Sequence, residues 1–248
     1  MNADAAAPAA IVTGGASGIG AATSLALAAA GHRVALVDTD AERAQALARQ
    51  SAAIVPFRCD IADIDALPGL VADIAQRLGP PRVLVNNAAK GGGGAIETVA
   101  ADAFDRVFAV SARGSFFLTQ AVVPVMAAAG GGAIVNVGSL IAARGVEANS
   151  HYAGAKAAMI GFTRAWAQEF ASRRITVNAV LPALTDTPMT RAAMALDEIA
   201  AKAASIPMGR LAQPSDCADL IVFLASAQAR FLTGQVLSPN GAEFTGAL

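Results

Sequence analysis

Ala9-Ala10-Ile11-Val12-Thr13-Gly14-Gly15-Ala16-Ser17-Gly18-Ile19-Gly20 is the stretch on which the fold turns. Residues 9–14 read as a strand, since an unbroken apolar run suits a strand covered on both faces. Residues 15–20 form a glycine-rich turn. The alanine-rich stretch up to Gly31 reads as a helix ending on glycine. The same unit then recurs along the chain. Val34-Ala35-Leu36-Val37 is a second strand, closed by Asp38 and followed by a helix over 42–49. Residues 53–58 form a third strand, ending near Cys59-Asp60-Ile61. Leu67, Leu70, Val71, Ile74 and Leu78 make a helical stripe, with Pro68 tolerated in its first turn. Val83-Leu84-Val85 is a fourth strand, stopping at Asn86-Asn87-Ala88-Ala89.

Further along, a long helix is expected over 102–128, bent by Pro124. A strand over 133–139 ends on Ser139, and a helix carrying Tyr152 follows. Residues 175–181, the helix 214–226 and the strand 234–237 complete the pattern. Strands that alternate with helices in this way lie parallel, because parallel neighbours need crossovers. The expected architecture is an α/β, doubly wound, seven-stranded parallel sheet with helices on both faces, a Rossmann fold. It forms one domain over 1–248, with 185–210 outside the alternation as a substrate-covering segment.

Composition narrows the function. The chain has 248 residues, 55% hydrophobic and 15% charged, with a formal net charge of -1. No basic patch is visible, so nucleic acid is not an expected partner. Cys59 and Cys217 are far apart, with no CxxC or Cys/His cluster. That argues against a disulfide framework and a zinc site, and suits a reducing, cytoplasmic setting. Residues 1–8 lack a basic start and an apolar core, so no signal peptide is expected there. Pro124 and Gly130-Gly131-Gly132 interrupt the longest apolar runs, so no membrane span is expected.

Open parallel sheets bind ligands beyond the carboxyl ends of their strands. Gly14, Gly18, Gly20, Asp38, Asp60, Asn86, Ser139 and Pro182 all follow strand ends. A glycine turn between strand and helix is where backbone N–H groups hold a pyrophosphate. Asp38 comes about twenty residues on, where a carboxylate accepts from both ribose hydroxyls of an adenosine. It would repel a 2′-phosphate, and its neighbours Thr39 and Asp40 supply no arginine, so the expected cofactor is NAD. The competing role for Asp38 is to cap the next helix. Tyr152 and Lys156 stand four apart, on one face of a helix. Alone such a pair is common; beyond a strand ending on Ser139 it is a candidate proton-transfer centre.

These motifs together resemble the single-domain short-chain dehydrogenases/reductases, including 3-oxoacyl reductase-like and sugar or polyol dehydrogenase members. The family's TGxxxGxG turn is Thr13-Gly14-Gly15-Ala16-Ser17-Gly18-Ile19-Gly20, and its NNAG motif is Asn86-Asn87-Ala88-Ala89. Its serine is Ser139, its YxxxK runs from Tyr152 to Lys156, and its PGxxxT is Pro182-Ala183-Leu184-Thr185-Asp186-Thr187. The resemblance implies hydride transfer between a nicotinamide and a carbonyl or secondary alcohol, with Tyr152 as acid/base. Lys156 would favour the phenolate and bond the nicotinamide ribose, and Ser139 would orient the substrate oxygen. It also implies cofactor contacts at Gly14, Ser17, Gly18, Ile19, Gly20, Asp38, Asp60, Ile61, Asn87, Ala88, Pro182, Leu184 and Thr187, besides Tyr152 and Lys156. A homotetramer is implied as well. Three positions depart from the pattern. Ser111 stands where a relay asparagine is usual, and Ala89 and Ala183 replace glycines, where a positive φ would be strained. The alternative function is a catalytically weak, NAD-binding regulatory or scaffold protein.

Some residues rank lower. His151 is expected at the substrate mouth or surface, and His32 in solvent. Arg144, five after Ser139, is expected to be solvated or paired with Glu147, the alternative being that it meets an anionic substrate. Met189, Met194 and Met208 either line a pocket or simply pack. Residues 90–94, with four glycines, are expected to form a flexible loop at the active rim. The apolar helix over Met159, Ile160, Phe162, Trp166 and Phe170 is expected either to pack between sheet and loops or, the favoured reading, to meet another subunit.

Overall fold

The computed structural model describes residues 7–246. Residues 1–6, most of the stretch read against a signal peptide, lie outside them. Seven parallel strands form one sheet: β1 (Ala9–Thr13), β2 (Arg33–Asp38), β3 (Ile54–Arg58), β4 (Pro81–Asn86), β5 (Gly132–Val137), β6 (Ile175–Val180) and β7 (Val236–Leu237). Their order is β3-β2-β1-β4-β5-β6-β7. The direction of winding reverses between β1 and β4, which opens a crevice at their carboxyl ends. The helices are α1 (Gly18–Ala29), α2 (Ala41–Ala48), α3 (Leu67–Leu78), α4 (Ala101–Phe108), α5 (Ser115–Ala128), α6 (Ile141–Arg144), α7 (Ser150–Phe170), α8 (Pro188–Ala193), α9 (Leu196–Ser205) and α10 (Pro214–Ala225).

The apolar strands alternate between two cores, as the two-residue period of a strand requires. Ile11, Leu84, Ile134 and Val177 face Leu67, Val71 and Ile74 of α3, Leu118 and Val122 of α5, and Trp166 of α7. Val12, Leu36, Val85 and Val135 face Leu27 of α1, Leu47 of α2, and Ile221 and Leu224 of α10. Leu118 is fully buried. Leu118→Ala should cost about 2–5 kcal/mol, seen as a lower urea midpoint with unchanged slope.

The long helix expected over 102–128 is interrupted at a place the sequence did not flag. Residues 109–114 form a π-helical turn between α4 and α5, well before Pro124. Gly114 explains the position: a Cβ there would lie 2.5 Å from the Ile61 carbonyl oxygen, so only glycine lets the turn approach the end of β3. The helical run over 101–128 is also long and apolar enough to cross a membrane, contrary to the expectation that its apolar run was too broken. Half of its most apolar window is buried in the fold, against the sheet and α3. Ser139 lies two residues past β5 rather than within it.

Candidate active site

Thr13 ends β1 and staples it to β4. Its hydroxyl donates to the Val85 carbonyl (3.2 Å) and accepts from the N–H groups of Asn87 and Ala88 (3.0 Å each). Asn87 Nδ2 donates back to the carbonyls of Thr13 (2.8 Å) and Gly14 (3.1 Å). The glycine turn and the Asn86-Asn87-Ala88 strand end, far apart in sequence, form one wall of the crevice. Gly14 has φ +61, and a Cβ on it would sit 2.9 Å from Ala88 Cα. A Cβ on Gly20 would overlap the Gly14 carbonyl. Ser17 precedes α1 without a side-chain cap, and the first turn of α1 holds no acidic residue. Its N–H groups are therefore left to an anionic partner.

Asp38 reaches back to this turn. Its Oδ2 accepts from Ala16 N–H and its Oδ1 from Asp40 N–H, both at 3.0 Å. The helix cap is Asp40, which accepts from Arg43 N–H, so capping is not the role of Asp38. The neighbouring strand adds a residue that the local sequence hid. Arg58 is in register with Asp38, so the next strand does supply an arginine at this level of the sheet, without an ion pair between the two among the described residues. Asp60 is exposed and accepts from Ala62 N–H (2.9 Å). Ile61, expected beside an adenine, has its side chain in the core, and its carbonyl lies against Gly114 of the π turn. Neither Ala89 nor Ala183 adopts a positive φ, so the strain anticipated there does not arise.

Ser139, Tyr152 and Lys156 come together at the end of β5. Leu140 N–H donates to the Pro182 carbonyl (2.9 Å), which holds the serine against the end of β6. Ser139 Oγ accepts from Ile141 N–H (3.3 Å) and lies on the side of the Tyr152 phenol where it favours the phenolate. Lys156 is buried one turn further along α7, its Nζ donating to the Val137 carbonyl (2.8 Å) and lying 6.0 Å from the Tyr152 ring centroid. Burial raises the Tyr152 pKa above its ordinary value, and the Ser139 hydroxyl partly opposes this. Burial lowers Lys156 to about 8. Both effects favour the neutral forms, because a low-dielectric site penalises charge.

The Lys156 shift has a stability consequence. Between pH about 8 and about 10.5 the unfolded chain keeps this proton and the folded chain sheds it. The unfolded state binds more protons there, so stability should rise with pH, by on the order of 3 kcal/mol across the window. Urea unfolding of the ligand-free protein against pH would show the rise, and Lys156→Met should remove it.

Ser111 lies in the π turn, 1% exposed. Its hydroxyl accepts from Lys90 N–H (3.4 Å) and its carbonyl accepts from Ser115 Oγ (3.2 Å). It therefore anchors the glycine loop. Among the described residues no hydrogen bond joins it to Tyr152 or Lys156. The loop 90–94, expected to be flexible, is pinned at several points. Gly94 N–H donates to the Ala148 carbonyl (2.7 Å), a Cβ on Gly92 would sit 2.6 Å from His151 Nε2, and one on Gly91 would sit 3.3 Å from Met189 Sδ. His151 is buried, not at the surface. His32, expected in solvent, is half-buried, and burial lowers its pKa, opposed by a hydrogen bond with the Pro8 backbone. Met189 and Met208 are exposed and Met194 is half-buried.

Pro182 and Leu184 hold the start of segment 185–210 through backbone bonds to Leu140 and Ala212. Thr187 caps α8 and lies close to Gly18, whose added Cβ would be 3.2 Å from its methyl. Ile19 packs against the second core. The sequence reading missed two groups. Asn86 Nδ2 donates to Thr119 Oγ1 (3.0 Å) and Asn136 Oδ1 (2.9 Å), and Asn136 Nδ2 donates to Thr163 Oγ1 (2.8 Å). This buried ladder ties β4, β5, α5 and α7 beneath the site. An asparagine inside Val135-Asn136-Val137 was the available signal, since a buried polar group needs a partner. The second group is Glu243. Arg144 pairs with it, not with Glu147, at 2.7 Å.

Comparison with known proteins agrees with this geometry. A family model described as enoyl-(acyl carrier protein) reductase matches residues 14–241. The chain is 37% identical to 3-oxoacyl-(acyl-carrier-protein) reductase of Thermotoga maritima, over 93% of this chain and 95% of that protein. It is 38% identical to acetoacetyl-CoA reductase of Shinella zoogloeoides, over 95% and 98%. Its structure is similar to that of a single-substitution variant of actinorhodin polyketide ketoreductase with NADPH, with TM-score 0.91, 31% identity, and coverage of 95% of this chain and 96% of that one.

Proposed function

Because the chain belongs to the short-chain dehydrogenase/reductase family of oxidoreductases, we propose that it moves a hydride between NAD and a secondary alcohol or ketone, with Tyr152 as the acid/base. The observation that carries this is the gathering of Ser139, the buried Tyr152 phenol and Lys156, one turn further along α7, at the end of β5. The crevice fits a dinucleotide. Gly14 and Gly20 clear its wall, the α1 N-terminus is uncapped, and Asp38 ends β2 with its carboxylate beside that turn. When bound, the nicotinamide supplies or accepts the hydride; the protein supplies position and electrostatics.

In reduction the Tyr152 phenol gives its proton to the substrate oxygen, and in oxidation the phenolate takes one. Ser139 donates a second hydrogen bond to that oxygen and so fixes its distance from the phenol. Lys156, as the ammonium, lowers the cost of the phenolate and reaches the nicotinamide ribose hydroxyls. Segment 185–210 covers the substrate. Ser111, bonded to the Lys90 backbone, acts on the loop rather than as a proton relay.

The NAD assignment rests on the Asp38 carboxylate, which disfavours a 2′-phosphate. A homotetramer and a cytoplasmic location complete the reading. The first is supported by exposed Phe116 of α5 and half-buried Phe162 of α7, which meet edge to face at the surface, the second by two free cysteines. The deciding experiment is a panel of secondary alcohols and ketones followed by NADH absorbance, with Tyr152→Phe as control. A tight NADH complex without turnover on any of them would favour the alternative of a regulatory NAD-binding protein.

A further inference from the structure

Glu243 lies in the segment after β7 with its side chain only 6% exposed. One of its oxygens, Oε1, is shared by two cations: Arg144 Nη1 at 2.7 Å and Lys202 Nζ at 3.0 Å. Arg144 ends α6, five residues past Ser139, and Lys202 belongs to α9, in the substrate-covering segment. The carboxylate thus joins the serine side of the cleft to its cover. Its other oxygen, Oε2, is buried with no partner. The surrounding chain holds it there. Gly241 accepts from Met208 N–H (3.3 Å), Asn240 Nδ2 donates to the Phe244 carbonyl (2.9 Å), and Ala242 takes a strained φ of 68.

Charge around the cleft follows one rule. The connections after β4, β5 and β6 (residues 87–100, 138–149 and 181–213) carry five basic residues: Lys90, Arg144, Arg191, Lys202 and Arg210. Four of these are ion-paired within the chain, Arg191 to Asp186 and Arg210 to Asp216 at 2.6 Å each, the other two to Glu243. The same connections carry five acidic residues, Glu97, Glu147, Asp186, Asp197 and Glu198, and Glu243 makes a sixth.

We propose that Glu243 is a specificity-determining residue: its carboxylate occupies Arg144 and Lys202, so that the cleft takes uncharged carbonyl compounds and rejects those bearing an anionic group near the carbonyl. The inference rests on the oxidoreductase reading above. An incoming carboxylate could win the two cations only by leaving Glu243 buried and unpaired, which is costly. Discrimination here comes from a penalty on the wrong ligand.

The test uses a matched pair, ethyl acetoacetate and acetoacetate, reduced by the full chain with NADH. Wild type should favour the ester in kcat/KM by about tenfold or more. Glu243→Gln keeps the shape and removes the charge. It should shrink the ratio about tenfold, through a lower KM for acetoacetate with ester kcat nearly unchanged. A purely structural role would lower both substrates alike. Lys202→Gln, which removes a cation instead, should widen the ratio; it also decides the matter if Glu243→Gln does not fold. An unmoved ratio in the folded variants, or a wild type that prefers acetoacetate, overturns the inference while leaving the oxidoreductase reading intact. Absence of turnover with both substrates overturns the inference, and absence of Tyr152-dependent turnover across the whole panel of alcohols and ketones overturns the oxidoreductase reading with it.

Discussion

Tyr152→Phe should lower turnover by about 10²–10⁴-fold, the range ordinarily supplied by one positioned acid or base, while NADH binding changes little. The phenol oxygen is the only proton-transfer atom that the proposed mechanism places at the substrate, and phenylalanine keeps the ring and its packing. The chain offers an independent readout, because Tyr152 is its single tyrosine. Ultraviolet titration of the phenolate therefore reports this side chain alone. In the ligand-free protein its midpoint should lie above the ordinary value of about 10, since burial disfavours the phenolate more than the Ser139 hydroxyl stabilises it. Ser139→Ala removes the opposing hydroxyl, so the midpoint should rise further. Alcohol oxidation needs the phenolate, so its kcat/KM should climb with pH; ketone reduction needs the phenol and should fall. A variant that kept most of its turnover would remove Tyr152 from the chemistry, whereas a midpoint below that of free tyrosine would overturn only the dominance of burial.

NADH should bind about 100-fold more tightly than NADPH, equivalent to about 3 kcal/mol, because a 2′-phosphate would be forced against the Asp38 carboxylate. That carboxylate cannot simply turn away. Its two oxygens are held by Ala16 and Asp40 N–H groups, which also fix the glycine turn to the end of β2. Asp38→Asn keeps an acceptor and loses the charge, so the preference should narrow by about tenfold. Arg58, in register on β3, is then the cation positioned to meet the phosphate. Adding Arg58→Ala to Asp38→Asn should cancel most of the gain in NADPH affinity. Fluorescence titration of both cofactors checks all three proteins. Equal affinities in wild type would mean that Arg58, not Asp38, governs the site.

Much of the site was legible because its motifs are local. Thr13 with Gly14, Gly18 and Gly20, the Asn86-Asn87 strand end, and the Tyr152–Lys156 turn each lie within eight residues, and a strand or helix period decides where their side chains go. The misreadings share a cause as well. Arg144 was matched to Glu147 by proximity in sequence, but the carboxylate it reaches is ninety-nine positions away. His151 looked free to face solvent until loop 90–94 was seen to pack over it. For Ser111, which stands where a relay asparagine is usual, no local sequence signal showed that the π turn brings its hydroxyl to the Lys90 backbone.

The amino-acid sequence by itself determined the alternation of strands and helices, the glycine turn, and the placing of Tyr152 and Lys156 one turn apart on a helix. These depend on apolar period and on turn chemistry, which act over a few residues. The tertiary structure decided what stands next to what. It set Arg58 in register with Asp38, Glu243 between Arg144 and Lys202, and Asn136 between Asn86 and Thr163. It also decided that Tyr152 and Lys156 are buried enough to shift their pKa values. Burial and ion pairing depend on the summed approach of distant segments, and no local pattern encodes that sum.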